Sequence, residues 1–247
     1  MKPTIQSPEA EYRARVASLA AHLGQEGLSG AVLFDNYHVD YYCGFAFIPT
    51  ERPIALAVSA RGETALYVPR LELEHAQGDA LVDQVDHYPE YPDDPPPVVR
   101  FKQILAGMGM GGASGPIGAD ADGYPWILGY QGPSLSAVTG AEVESIAAFV
   151  ESCMWIKSPA ELALIRESAK WSNLAHRLLQ RYTRVGATET EVGLRASQEA
   201  TLAMVDTLGP LYRARSMFFD GAVASYRGQI GRQAAIPHSM AMNATFM

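Results

Sequence analysis

The residue best placed to do chemistry is His238. It lies between Pro237 and Ser239 at the close of a glycine-rich, irregular stretch, Ser225 to Ile236, with Asn243 close by. An imidazole held on an irregular segment beside strands can hydrogen-bond a substrate carbonyl or a developing oxyanion. A structural histidine is the competing reading, and local context does not separate the two.

Other groupings have simpler explanations. Asp35, His38 and Asp40 put two carboxyls and an imidazole within six residues, which could form a metal clip. Metal sites usually recruit ligands from several elements, and turn chemistry accounts for Asp35-Asn36. Cys43 would need an activating base to act as a nucleophile, and it lies in an apolar run where cysteine is commonly buried and inert. Gly107-Met108-Gly109-Met110-Gly111-Gly112 fits G-x-G-x-x-G. A dinucleotide loop must leave a strand and open a helix, whereas here a helix-like segment precedes and Pro116 follows; the run reads as a turn.

Asp120-Ala121-Asp122-Gly123 begins like a calcium loop, but its glycine is fourth and Gln131 stands at the twelfth position, where a glutamate is needed. His22 and His176 sit in helical patterns, and His75 and His87 have no partner pattern. No P-loop, G-x-S-x-G or H-E-x-x-H is present.

The elements that must position these residues can be read from periodicity and punctuation. Ser7 as N-cap, Pro8 at the first helical position and Glu9 and Glu11 behind it predict a helix carrying Val16, Leu19, Ala20 and Leu23, with Gly24 and Gly27 as stops. Ala31 to Phe34 is a short buried strand. Ile54–Val58 and Thr64–Val68 flank Ala60-Arg61-Gly62-Glu63 as a β-hairpin. A short helix over Leu71–Ala80 and a strand over Val82–Tyr88 follow. The proline-rich run from Tyr88 to Pro97 reads as a surface loop, because proline fixes φ and removes donors. Val98–Ala106 is helical, Ile117–Asp120 ends a strand, and Val143–Ile146 begins another element. This half is α/β, with strands and helices alternating.

The strongest boundary falls near residue 155. Ser158-Pro159-Ala160-Glu161 is a capping box that opens a helix through Leu162, Ile165, Ala169, Leu174, Leu178 and Tyr182 to Gly186. Thr188 and Glu191 offer a second box and a helix to about Val205. Ser216–Phe219 reads as a strand. We take the domains as 1–153 and 154–247.

Composition bounds the function classes. The length gives between one and two domains at about 150 residues each. Hydrophobic residues make up 48% and charged residues 19%, an ordinary globular balance. The formal charge of −8 argues against nucleic acid, since phosphate neutralisation needs clustered Lys and Arg and the nearest approach to a cluster is Arg213 with Arg215. Two cysteines form no framework and suit a reducing compartment. Met1 to Glu9 holds no apolar signal core, and Gly123–Ala141 is too broken by Pro125, Pro133 and glycines to span a bilayer. The expectation is a cytoplasmic protein with no membrane partner.

The order of signals resembles one known family. His38-Val39-Asp40-Tyr41-Tyr42-Cys43-Gly44-Phe45 resembles the N-x-x-Y-L-T-G-[FY] segment of creatinase/prolidase N-terminal domains. Trp155-Ile156-Lys157-Ser158-Pro159-Ala160-Glu161-Leu162 resembles the R-x-I-K-S-x-x-E-[IL] start of the pita-bread peptidase domain. Tyr182–Glu189 resembles that domain's [IV]-[RK]-x-G-x-T-E turn, and Ala235-Ile236-Pro237-His238 the segment with its active-site histidine. His38 replaces the usual Asn, Tyr42-Cys43 the usual Leu-Thr, and Met154 the usual Arg.

The resemblance implies a creatinase-type α/β N-terminal domain followed by the first part of a pita-bread domain. It further implies an Xaa-Pro aminopeptidase or prolidase-like metallohydrolase, commonly a homodimer, acting on peptides with proline second. Two divalent ions (Mn, Co or Zn) would bridge a hydroxide that attacks the scissile carbonyl. The histidine matching His238 would bind substrate or stabilise the tetrahedral intermediate.

In the family the five metal ligands, two Asp, one His and two Glu, follow the segment matching Pro237-His238. Here the nine residues Ser239 to Met247 include no carboxylate or histidine, so no metal ligand is assignable. The expectation is a chain inactive by itself as a peptidase. Two other readings keep the scaffold: a non-catalytic peptide- or protein-binding module, and a creatinase- or ectoine-hydrolase-like amide hydrolase.

Overall fold

The computed structural model describes residues 7–89, 95–125, 127–209, 212, 221–240 and 243–246. The expected strand at Ser216–Phe219, the Arg213 and Arg215 pair and the centre of the proline-rich run, residues 90–94, lie outside them. The chain divides into two compact units, Pro8–Ile156 and a second built on Lys157–Met247. Among the described residues no helix is long and apolar enough to cross a membrane.

The first unit is a mixed sheet covered on both faces. Its elements are α1 (Glu9–Glu26), β1 (Gly30–Leu33), α2 (Asn36–Cys43), β2 (Ala55–Ser59), β3 (Thr64–Pro69), α3 (Leu73–Asp79), β4 (Gln84–Tyr88), α4 (Pro97–Gly107), β5 (Ile117–Ala119), α5 (Leu135–Thr139), β6 (Val143–Ser145) and α6 (Ala147–Trp155). The strand order is β4-β3-β2-β1-β5-β6. β2 pairs antiparallel with β3, which is the hairpin read from the sequence, and also antiparallel with β1. β3 and β4 are parallel, as are β1 and β5, and β5 and β6.

Strand side chains alternate between two cores, so β1, β2 and β3 read as unbroken apolar runs. Leu33, Leu56, Val58, Leu66 and Val68 face one side, against Leu19 and Leu23 of α1, Val39 and Tyr42 of α2, and Val150 of α6. Val32, Ala57, Ala65 and Tyr67 face the other, against Phe101 and Leu105 of α4 and Leu135 of α5.

Helix starts differ from expectation in two places. Pro8, not Ser7, is the N-cap of α1; it is extended (φ −61°, ψ 146°) and lends no side-chain cap. Proline's fixed φ suits either position, and helix ends are sharp only where a cap fixes them. Pro97, placed in the loop by the sequence, is the first residue of α4, where its missing N–H costs nothing. Gly24 lies inside α1, and the helix stops at Gly27 in left-handed conformation (φ 71°).

The segment resembling N-x-x-Y-L-T-G-[FY] is α2 and its exit. Asp35 caps α2 by accepting Tyr37 N–H at 2.8 Å and His38 N–H at 3.2 Å. Gly44 ends it at φ 73°, and a Cβ there would stand 3.3 Å from the Tyr12 ring. Tyr42 and Phe45 are fully buried. The pattern is therefore a helix, a left-handed exit and two core anchors.

The second unit is centred on a helix pair, α7 (Pro159–Tyr182) and α8 (Glu189–Leu208). The first capping box forms in full: Ser158 Oγ accepts Glu161 N–H at 3.1 Å, and Glu161 Oε2 accepts Ser158 N–H at 2.8 Å. The second forms by half. Thr188 Oγ1 accepts Glu191 N–H at 3.2 Å, but the Glu191 carboxyl turns to Arg195 Nε, 3.1 Å away. A cation one turn ahead outcompetes the backbone N–H of the cap. Ala175, Leu178 and Leu179 of α7 and Val192, Ala196 and Ala200 of α8 share one core with Ala222 and Ala224.

Candidate functional site

His238 lies on a turn with Pro237 and is exposed; its ring makes no hydrogen bond among the described residues. The backbone around it is fixed from both sides. Gln229 Nε2 donates to Pro237 O at 3.0 Å, and Ser239 Oγ donates to Arg227 O at 3.4 Å. The residues it is tied to form a tight turn, in which Gln229 N–H returns to Tyr226 O at 2.9 Å. Both central residues, Arg227 (φ 49°) and Gly228 (φ 76°), are left-handed, the pattern of a type I′ turn.

That turn is held against α8. Glu189, the first residue of α8 and 3% exposed, accepts Gly228 N–H on Oε2 at 2.7 Å. Ser197 Oγ accepts Ala224 N–H at 3.1 Å and donates to Ala224 O at 3.2 Å, and Thr201 Oγ1 donates to Ala222 O at 3.3 Å. Thr183 Oγ1 donates to Leu179 O at 2.7 Å, so its lone pairs take the Tyr226 hydroxyl at 2.8 Å. Ala244 O accepts Glu189 N–H at 2.9 Å, and Phe246 O and N–H bond Gly186 N–H and Ala187 O. Between the turn and α8 lies a cavity of about 350 Å³, lined by Glu189, Gly193, Leu194, Val223, Ser225 and Arg227.

The acidic cluster near residue 38 resolves differently. β1 and β5 are parallel, so their carboxyl ends meet, and Asp120 stands just past β5. Its carboxylate, with the side chain 3% exposed, accepts Phe34 N–H at 2.9 Å, Asp35 N–H at 2.9 Å and His38 Nδ1–H at 2.9 Å. Burial alone would lower the His38 pKa; the Asp120 hydrogen bond and the charges of Asp120, Asp35 and Glu151 outweigh it and raise the pKa. Asp35 and His38 are thus used in the cap and the strand clamp, not as a metal clip. Among the described residues no three or more His, Cys, Asp or Glu side chains gather as a metal site.

The remaining candidates keep their simpler readings. Cys43 is buried and its Sγ contacts Val39 O at 3.1 Å. The glycine run follows α4 rather than a strand, and Gly109, Gly111 and Gly112 have positive φ, as turn residues do. Asp122 accepts Ser136 N–H at 2.8 Å and belongs to the start of α5. His22 stacks on Phe149 with ring centres 3.7 Å apart, and His75 Nδ1 lies 2.9 Å from Glu72 Oε2.

Sequence reasoning missed two carboxyls, Asp120 and Glu189. Asp120 reads in the sequence as a strand end and the start of a failed calcium loop, because its partners lie more than 80 residues away. Glu189 reads in the sequence as a member of a cap and as the closing glutamate of the Tyr182–Glu189 segment, and neither reading gives it a partner.

The family model of the Creatinase/Prolidase N-terminal domain matches residues 15–153. No curated protein matches. The prolidase from Pyrococcus furiosus is similar in structure with a TM-score of 0.62 at 17% identity, covering 94% of this chain and 62% of that one. The dipeptidase PepE from Mycobacterium ulcerans gives 0.59 at 23% identity, over 82% and 51%. An Xaa-Pro dipeptidase from Bacillus anthracis gives 0.58 at 15% identity, over 78% and 49%. The chain thus spans about half to three-fifths of the length of these structures, and at such identities the likeness is one of fold.

Proposed function

The chain belongs to the creatinase/prolidase N-terminal domain family, and from that premise we propose that it is the scaffold of a prolidase-like hydrolase. Its substrates are peptides with proline at the second position, met by His238. The observation that carries this reading is the extent of the likeness: it runs along 94% of the chain, and so through both units, in a prolidase.

His238 is suited to one part of such chemistry. An exposed imidazole on an anchored turn can donate a hydrogen bond to a peptide carbonyl oxygen and favour negative charge building there. Its ring has no carboxyl partner among the described residues. Its role is therefore binding and stabilisation, not supply of the nucleophile.

The two divalent ions implied by the resemblance would provide a metal-bound hydroxide. The residues described here do not fit such a pair. Among the described residues no group of three donors gathers, and the buried Glu189 carboxyl beside the turn is directed at a backbone N–H. We assign no step to a metal, and we infer that this polypeptide alone binds peptide without cleaving it. The free cysteines Cys43 and Cys153 agree with action in a reducing compartment such as the cytoplasm.

The test is a titration of the 247-residue protein with Ala-Pro, following the His238 imidazole by NMR, with Ala-Ala as control. Ala-Pro should shift the His238 signal and Ala-Ala should shift it less; His238→Ala should abolish binding. An imidazole indifferent to Ala-Pro overturns the reading. Turnover of Ala-Pro by dialysed protein resupplied with manganese or cobalt overturns the inference that it binds only.

A further inference from the structure

We propose that Glu189 is a positioning residue for His238, acting through the turn at Tyr226–Gln229. The inference rests on the reading of His238 as the substrate-facing group.

The turn is strained where it matters. A type I′ turn puts both central residues at positive φ, which Asn-Gly or Gly-Gly accept at little cost. Here the first central residue is Arg227 at φ 49°, a conformation an ordinary side chain adopts only when its surroundings impose it. The imposing contact is the Glu189 carboxyl on Gly228 N–H at 2.7 Å, made inside the fold rather than in water. Glu189 is itself fixed at both ends, its N–H bonded to Ala244 O and its position set as the first residue of α8.

The strain is transmitted by two bonds. Arg227 O, whose direction the left-handed turn sets, accepts the Ser239 hydroxyl, and the Gln229 side chain holds Pro237 O. His238 stands between these two held residues. A carboxyl 39 residues from Gly228 in sequence therefore decides which way the imidazole is carried. An acid is the suitable residue type, because a carboxyl oxygen accepts a backbone N–H more strongly than a neutral group does. The cavity of about 350 Å³ beside Glu189 and Arg227 opens on the same turn, so its shape depends on the same anchor.

The experiment compares Glu189→Gln and Glu189→Ala with the parent by amide exchange, by the His238 imidazole spectrum and by global unfolding. Glu189→Ala should speed exchange of the Gly228 amide roughly tenfold or more, the loss of one hydrogen bond to a strong acceptor. It should also move or broaden the His238 imidazole signals. Glu189→Gln, which keeps an acceptor oxygen at the same reach, should restore most of both. Where Glu189→Ala is too unstable to study, Glu189→Asp draws the carboxyl back by one methylene and should give the same two local changes.

Unchanged Gly228 exchange and an unchanged His238 spectrum in a folded Glu189→Ala or Glu189→Asp protein overturn the proposal. So does a uniform loss of stability with no local change at either residue, which a merely structural role would produce. If the local changes occur but Ala-Pro fails to shift His238 in the parent, the positioning role stands and the peptide-binding reading fails.

Discussion

His38 and Asp120 are 82 residues apart in sequence and 2.9 Å apart in the fold, at the carboxyl ends of two parallel strands. Asp120 also takes the Phe34 and Asp35 N–H groups, so one buried carboxylate joins the end of β1, the cap of α2 and the end of β5. The three-residue strand β5, paired between β1 and β6, has few ladder bonds of its own, and this clamp supplements them.

The clamp makes stability depend on pH with a definite sign. The folded-state pKa of His38 is raised above its unfolded value of about 6.5. Such a group contributes stability that is fully present below the unfolded pKa and is lost as pH rises through the folded pKa. Urea midpoints measured from pH 5 to 9 should therefore contain a component that falls with rising pH above about 6.5, and His38→Gln should remove that component. Asp120→Ala should cost about 2–4 kcal/mol at high pH, since it orphans buried N–H donors, and more at low pH, where it also removes the partner of the protonated His38. A His38→Gln protein with the parent's pH slope contradicts the assignment.

The two helix caps of the second unit should differ in worth. Ser158 and Glu161 bond reciprocally, whereas Thr188 acts alone because Glu191 is drawn to Arg195. Ser158→Ala should destabilise the unit by about 1–2 kcal/mol and Thr188→Ala by about 0.5–1 kcal/mol. Arg195→Ala should release Glu191 and narrow the gap. Chemical denaturation followed by a probe in α7 or α8 reads this; equal losses at both caps contradict it.

One face of α8 should drive association. Leu194 is 66% exposed and Leu202 57%, with Val205 between them around the helix and Val223 beside Leu194 on the cavity wall. Exposed apolar side chains gathered on one helix favour contact with another surface. Sedimentation velocity should show concentration-dependent self-association, which Leu194→Lys with Leu202→Lys weakens at least tenfold if about 1.4 kcal/mol is lost. A monomer at all concentrations, or association indifferent to the pair, contradicts it.

What local sequence dictates here is what local physics dictates. The hairpin of β2 and β3, the unbroken apolar strands, the Ser158 box and the glycine exits of helices are set by residues within a few positions of one another. The order of these signals was also enough to mark the family, and the matched stretch, residues 15–153, begins and ends close to the sheet unit. His238 was legible as a candidate because its neighbours are irregular.

The rest needed the chain to fold back. Asp120 is a clamp only because β1 and β5 lie side by side, a pairing no window of sequence contains. Glu189 looked like one of several acids at a helix start. Its meaning came from a turn 39 residues later delivering Gly228 N–H to its carboxyl. Long-range hydrogen bonds and the burial that strengthens them exist only in three dimensions, so the roles of Asp120 and Glu189 became visible there and not in the sequence.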